Sequence, residues 1–130
     1  PIEGQTTTTT WGPYTDVPGA DSKTDGYQNT LDLIADTQDH PAANFCSDLT
    51  IGGFSDWYLP SQDESYLLYQ NHSALEAAGA GAFVADWNWS STECSTIYAW
   101  LQAFSVGDQY NKGFKALTYD VRAVRRLPLV

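Results

Sequence analysis

The run Pro60-Ser61-Gln62-Asp63-Glu64 constrains this chain more tightly than any other part of it. Serine followed three places later by glutamate is a capping box. The Ser61 hydroxyl accepts the orphan N–H of Glu64, and the Glu64 carboxylate accepts the N–H of Ser61. Asp63 adds negative charge at the positive end of the helix dipole. A helix therefore begins here, just after a proline that ends the extended segment before it. Leu67 and Leu68, flanked by Tyr66 or Tyr69, supply its inward face, and Asn71 or Gly79-Ala80-Gly81 ends the helical region.

Upstream, residues 40–49 read as another helix. Pro41 suits the first helical position, and Ala42, Ala43, Phe45, Cys46 and Leu49 form one apolar stripe. Gly52-Gly53 stops it, and the aromatic segment 54–59 reads as a short strand up to Pro60. Turn pairs Gly12-Pro13, Pro18-Gly19 and Asp25-Gly26 punctuate the first 39 residues, and residues 30–36 fit a short strand or a helical turn equally. The threonine run 6–10 suits an edge strand, an extended arm or a lead-in from a preceding domain.

Downstream, strands are expected at 89–93, at 97–106 with Tyr98, Trp100, Phe104 and Val106 on one face, and at 117–126, with turns at Gly107-Asp108 and Asn111-Lys112-Gly113. Two helices followed by several strands, without βα alternation, spell α+β. The expected organisation is an arm or linker over residues 1–10 and one domain over 11–130.

A chain of 130 residues with 42% apolar content, including 5 Trp, 8 Tyr and 5 Phe, can close one core and is not a disordered composition. Its charge is lopsided. Fifteen of the 16 acidic residues lie in residues 1–111 beside the single base Lys23, a net of −14. Lys112, Lys115, Arg122, Arg125 and Arg126 share the last 19 residues with Asp120, a net of +4. Such acidity repels phosphate backbones and excludes nucleic acid as a natural partner. It either keeps an exposed protein soluble, or places carboxylates to hold Ca²⁺, or offers a face on which the basic end of a neighbouring copy docks. No cofactor is otherwise called for. No run approaches the roughly 18–20 apolar residues of a membrane span. The first residue is Pro, so the chain reads as processed, trimmed or part of something longer.

Cys46 and Cys94 stand 48 positions apart. They either close a loop worth about 4 kcal/mol or remain unbridged, each a small apolar residue. With only His40 and His72 beside them they do not make a zinc site, and no metal ligands are assigned.

Signals for catalysis are weak. Gly53-Phe54-Ser55-Asp56-Trp57 has Trp57 where a nucleophile elbow needs glycine. His40 and His72 read as helix-end or solvated residues, and the capping box already accounts for Asp63 and Glu64. The aromatic inventory says more. Of Trp11, Trp57, Trp87, Trp89 and Trp100, the strand-like Trp57, Trp89 and Trp100 are assigned to the core. Trp87 in Asp86-Trp87-Asn88 and Tyr110 in Asp108-Gln109-Tyr110-Asn111 sit among polar residues instead. A flat apolar ring beside directional hydrogen-bonding groups suits a sugar or a protein partner. Asp86, Trp87, Asn88, Asp108, Gln109, Tyr110 and Asn111, in connections spanning 84–88 and 107–113, are the candidate ligand-binding residues. Ordinary half-tucked loop rings would give the same pattern.

The segment Gly52-Gly53-Phe54-Ser55-Asp56-Trp57-Tyr58-Leu59-Pro60-Ser61, with Asp63-Glu64 and Leu67-Leu68-Tyr69, resembles the signature of the Legionella collagen-like adhesin C-terminal domain family. So do Trp89-Ser90-Ser91-Thr92-Glu93, Ala99-Trp100, Phe104, Gly107 and residues 121–126, and upstream Gly26, Asn29-Thr30, Ala42-Ala43, Cys46 and Leu49. The resemblance runs over residues 11–126. It implies a C-type-lectin-like fold, two helices on a twisted antiparallel sheet with the termini close together. It also implies a home at the end of bacterial surface proteins or phage tail-fibre proteins, some of them trimeric. No catalytic residues come with it. Many members carry Cys where this chain has Ala123, so Cys46 lacks the partner the family gives it.

The functional expectation is a non-enzymatic adhesion or receptor-binding module, extracellular or on a virion, that recognises a host-surface glycan or protein and forms a homotrimer. Two other readings stand beside it. One is a structural virion component, such as a capsid decoration or tail protein, packed against neighbouring virion proteins. The other is a catalyst like the formylglycine-generating enzymes, which share the broad fold and need reactive cysteines.

Overall fold

The computed structural model describes residues 4–83 and 86–126. Its organising junction is the capping box at the head of helix α3 (Gln62–Gln70). The Ser61 hydroxyl accepts from the Glu64 N–H at 3.3 Å, and Glu64 Oε1 accepts from the Ser61 N–H at 3.0 Å. The same carboxylate also accepts from the Gly26 N–H at 2.9 Å and from the Tyr58 hydroxyl at 2.8 Å. Glu64 thereby ties the start of α3 to the start of helix α1 (Gly26–Ala35). The two meet so closely that a Cβ on Gly26 would stand 2.5 Å from the Ser61 nitrogen and 2.6 Å from the Leu59 oxygen.

Residues 30–36, open between strand and helix in the sequence, resolve as part of α1. Asp25 caps this helix by accepting from the Gln28 N–H at 3.0 Å, and Asn29, Thr30 and Leu33 are buried. Asn29 and Thr30 are polar residues on the inward face, which hides the helical stripe from a hydropathy reading. Each is satisfied there, Asn29 by Ser22 and Ser91, Thr30 by Gly26 and Leu59. Helix α2 (Pro41–Asp48) lies as expected, with Pro41 in its first turn and Ala42, Ala43 and Cys46 buried. After α3 the chain makes a short helix α4 (His72–Leu75) and one wide turn over Glu76–Ala80, where Gly79 adopts φ 97°.

The sheet contains β1 (Thr6–Thr9), β2 (Trp87–Glu93), β3 (Tyr98–Ala103), β4 (Gln109–Phe114) and β5 (Tyr119–Arg122), in the spatial order β1-β5-β2-β3-β4. It is mixed rather than purely antiparallel. β5 passes beyond β3 and enters beside β2 in the same direction, with β1 antiparallel on its outer side. The threonine run is thus an edge strand paired from Thr6 to Thr9 with β5, and not an arm outside the domain.

Other local expectations change for identifiable reasons. Residues 54–59 are extended but form no strand, because Gly52 and Gly53 (φ 61° and 80°) turn the chain so that Ile51 bridges only Phe54, and Tyr58 bridges only Val124. Asn111-Lys112-Gly113 is not a turn but the middle of β4. Gly113 lies flat against β3, where a Cβ would come within 2.8 Å of the Leu101 side chain. The last strand is shorter than 117–126, although Val124 still exchanges two backbone hydrogen bonds with Tyr58.

Trp11, Trp57 and Trp89 anchor the core with Leu33, Leu59, Leu101 and Val121. Trp100 does not join them; it is half-buried, with the Lys23 ammonium 6.0 Å from its ring centroid, and Val106 is exposed beyond the end of β3. Trp11 takes the core place that pattern gave to Trp100. Its indole N–H donates to the Ser90 carbonyl at 2.9 Å, which satisfies the polar tip of a ring only 1% exposed. Cys46 and Ala123 lie in the same core, while Cys94 is exposed. Both thiols are free, so the bridge weighed from the sequence is not formed, and burial pushes the Cys46 thiol well up.

The bases of the C-terminal segment are largely engaged within the chain. Lys115 is buried and donates to Glu93 Oε1 at 2.6 Å and to the Thr15 carbonyl at 2.9 Å. Arg125 grips Asp56 through two hydrogen bonds and stacks 3.6 Å over the Phe54 ring. Arg126 donates to Asp25 at 2.6 Å and sits beside the Tyr58 and Tyr27 rings. Arg122 donates to the carbonyls of Ala80 and Ala82. Four of the five late bases are thus spent inside the fold.

Candidate functional site

Strand register decides what becomes of the sequence-assigned residues. Thr8 pairs with Asp120, Asp120 with Asn88, Asn88 with Gln102, and Gln102 with Gln109, giving a polar row across all five strands. Side chains alternate between the faces of a sheet, so Trp87, Trp89, Leu101, Tyr110 and Tyr119 belong to the opposite face. The seven candidates therefore divide between two surfaces.

Trp87 and Tyr110, on strands separated by β3, come together with ring centroids 6.0 Å apart and planes inclined at 47°. Trp87 is half-buried against the core, and Tyr110 is 47% exposed on the edge strand. Asp86 is exposed beside them, its carboxylate accepting from the Trp87 N–H at 2.8 Å. The Asp108 side chain is exposed, while its carbonyl accepts from the Ala103 N–H at 2.8 Å and so fixes the approach to β4. Asn111 follows on β4, half-buried. Residues 84 and 85, part of the expected connection, lie outside the described residues. What the sequence shows as two loops is largely strand, the start of interior strand β2 and the start of edge strand β4.

Gln109 does not belong to this surface. Its amide donates to the Gln62 carbonyl at 2.8 Å and to Gln102 Oε1 at 3.0 Å, and its oxygen accepts from Gln62 Nε2 at 3.2 Å. It is a clamp between α3 and the sheet. Asn88 is 7% exposed and lines a different feature, a cavity of about 240 Å³ formed with Thr6, Thr8, Phe83, Asp120 and Arg122. Sequence reasoning missed this cavity. The signal available was the alternation Thr6-x-Thr8 and Asp120-x-Arg122, which becomes legible only once β1 and β5 are known to pair. Burial holds Arg122 below the usual guanidinium range, partly offset by Glu76.

A second hollow, about 250 Å³, lies at Tyr27, Asp56, Tyr58 and Arg126, where the charges already answer one another. Both histidines have partners within the fold. His40, fully buried, meets Asp36 Oδ2 at 2.7 Å and packs edge-on to Trp11, while His72 stacks on Tyr69. Among the described residues no group of three or more His, Cys, Asp or Glu is placed to hold a metal ion, and no helix is long and apolar enough to cross a membrane.

The architecture is shared with a solved structure, a fimbrial protein from Bacteroides ovatus ATCC 8483. The two superpose with a TM-score of 0.63 at 20% identity, over 92% of this chain and 34% of that one, so this chain spans about a third of that protein's length. No curated protein matches in sequence. The sequence profile described as the Lcl C-terminal domain, by contrast, matches residues 2–125, nearly the whole chain, with its capped α3, its tryptophan-bearing β2 and its arginine-rich end. The chain belongs to the Lcl C-terminal domain family.

Proposed function

We propose that the chain is a non-enzymatic adhesion module, displayed outside the cell or on a virion, that holds an external glycan or protein at the Trp87 and Tyr110 edge. One observation carries the reading: two aromatic residues distant in sequence, the half-buried Trp87 at the start of β2 and the exposed Tyr110 on edge strand β4, converge on one face of the sheet, with the exposed Asp86 and Asp108 close to them in sequence. Rings held on strands offer contact area at little cost in conformational entropy, which favours them as anchors. The adhesin family and the fimbrial relative support surface display. On this reading the scaffold is of the C-type-lectin-like kind; supporting this are helices packed on a five-stranded sheet and the pairing of β1 with β5, which brings the two ends of the domain together.

Docking of the basic end on a neighbouring subunit loses its motivation once those bases are paired internally. The catalytic alternative gains no paired thiols, since Cys46 is buried in the core and Cys94 lies on the surface, both free.

Labelled domain applied to glycan arrays and to intact cells tests the proposal. Trp87→Ala and Tyr110→Ala should each weaken binding about tenfold or more, as truncation of an aromatic anchor does, with unfolding midpoints close to wild type for Tyr110→Ala. Binding untouched by both changes refutes it.

A further inference from the structure

We infer that the cavity between β1, β5 and β2 is a binding site for a single uncharged sugar ring. The inference rests on the reading of the chain as an adhesion module and names the ligand class of a second surface on it.

The register sets Thr6 opposite Arg122 and Thr8 opposite Asp120, with Asn88 beside Asp120 on the next strand. Five polar side chains therefore project from one face into one hollow, closed on one side by the Phe83 ring. Their bonding capacity is only partly used. Asp120 Oδ1 accepts from the Thr8 hydroxyl at 2.9 Å, and its other oxygen takes no hydrogen bond among the described residues. Asn88 gives one amide hydrogen to the Asp86 carbonyl at 3.1 Å and keeps a second donor and its carbonyl oxygen. Arg122 gives one hydrogen from each terminal nitrogen to Ala82 and Ala80, and its plane is pinned 3.7 Å from the Phe83 centroid. It retains further N–H groups in a fixed fork.

This set mixes donors with acceptors and both signs of charge, which decides the ligand. A phosphate or sulfate drawn to Arg122 would meet the Asp120 carboxylate, and a cation drawn to Asp120 would meet the guanidinium. A ring bearing several hydroxyls satisfies both, donating to Asp120 and Asn88 and accepting from Arg122, Asn88 and Thr6. Such groups reject a ligand that cannot fill their hydrogen bonds, because a buried polar group left unpaired is costly. The size agrees. At about 240 Å³ the cavity falls below the range of about 300–1,000 Å³ usual for drug-sized ligands, room for one ring. Thr6 and Thr8 are exposed on the edge strand, so the ring enters from the β1 side as the terminal residue of a longer glycan.

The test is titration of the ¹⁵N-labelled chain with galactose, mannose, glucose, fucose and N-acetylglucosamine, with glucuronate and inorganic sulfate as charged arms. At least one neutral sugar should shift the Asn88 side-chain amide and the Arg122 Nε–H saturably, with a dissociation constant of about 1 mM. Asp120→Asn, which preserves shape and removes the charge, should weaken that response about tenfold, and Thr6→Val, at an exposed position, about threefold. No response to any neutral sugar, a response undiminished in both variants, or a response to the charged arms alone overturns the inference. If sugar shifts are absent while Trp87-dependent binding persists, the cavity assignment alone falls. If no cell or array surface retains the domain, the module reading falls, whatever the cavity does.

Discussion

Two buried polar contacts carry consequences that single substitutions can read. Lys115 is fully buried, and its ammonium lies against Glu93, the Thr15 carbonyl and the Trp11 ring, 4.8 Å from its centroid. Glu93 in turn accepts from the Val17 N–H with both oxygens at 3.1 Å. The pair fastens the irregular segment before α1 to the sheet. Removing one partner strands a buried charge, so Lys115→Met should cost about 3–5 kcal/mol in urea denaturation, and adding Glu93→Gln should recover part of the loss. Tyr58 makes the second case. Burial and the Glu64 carboxylate push its phenol up to about 12 from 10.0. A raised phenol favours the protonated form in the folded state, so the unfolded chain releases the proton first as pH rises. The stability it contributes is complete below pH 10 and is lost between pH 10 and about 12. Denaturation midpoints at pH 9 and 11 should fall for wild type, and fall less for Tyr58→Phe.

At the scale of elements, what the sequence made legible was whatever is local. The capping box, the proline-led α2 and the core of β2 depend on neighbours a few residues away, and all three stand where pattern puts them. α1 escaped because its buried face carries Asn29 and Thr30, polar residues whose partners lie on other segments. β4 escaped because Asn111, Lys112 and Gly113 have turn chemistry, and it is non-local pairing with β3, with Gly113 close against Leu101, that holds them in a strand. The candidate site shows the same division. Sequence position singled out Trp87 and Tyr110 as rings among polar groups, but the register that joins their rings and diverts Asn88 and Gln109 to the other face is a non-local fact. Glu64 is where the local and the non-local meet, since its carboxylate serves its own helix, the N–H of Gly26 and the Tyr58 hydroxyl. Glu64→Ala leaves two buried backbone N–H groups without acceptors and should cost about 2–4 kcal/mol. Glu64→Gln keeps an oxygen for both and should cost less than half as much, measured by thermal and urea unfolding.

At the scale of the molecule, charge and shape are divided by role. The bases that give the C-terminal segment its positive balance are used as internal fasteners, while most of the carboxylates stay outside, so an acidic body is left with Lys23 and Lys112 as the Lys and Arg side chains held in neither a salt bridge nor a hydrogen bond among the described residues. Such a surface resists non-specific adhesion to nucleic acid and anionic membrane, and on the proposed reading selectivity rests on the aromatic pair and the polar cavity. Because Trp87 and Tyr110 meet across β3, on the proposed reading a partner seated on one ring must be seated on both. The measurement that bears most directly on this is a double-mutant cycle on binding to the retained cell or array target, using Trp87→Ala, Tyr110→Ala and the pair. Coupling of at least about 0.5 kcal/mol is predicted, the level at which contacting residues depart from additivity. Strictly additive losses, or no loss in the double variant, would contradict a shared anchor at the sheet edge.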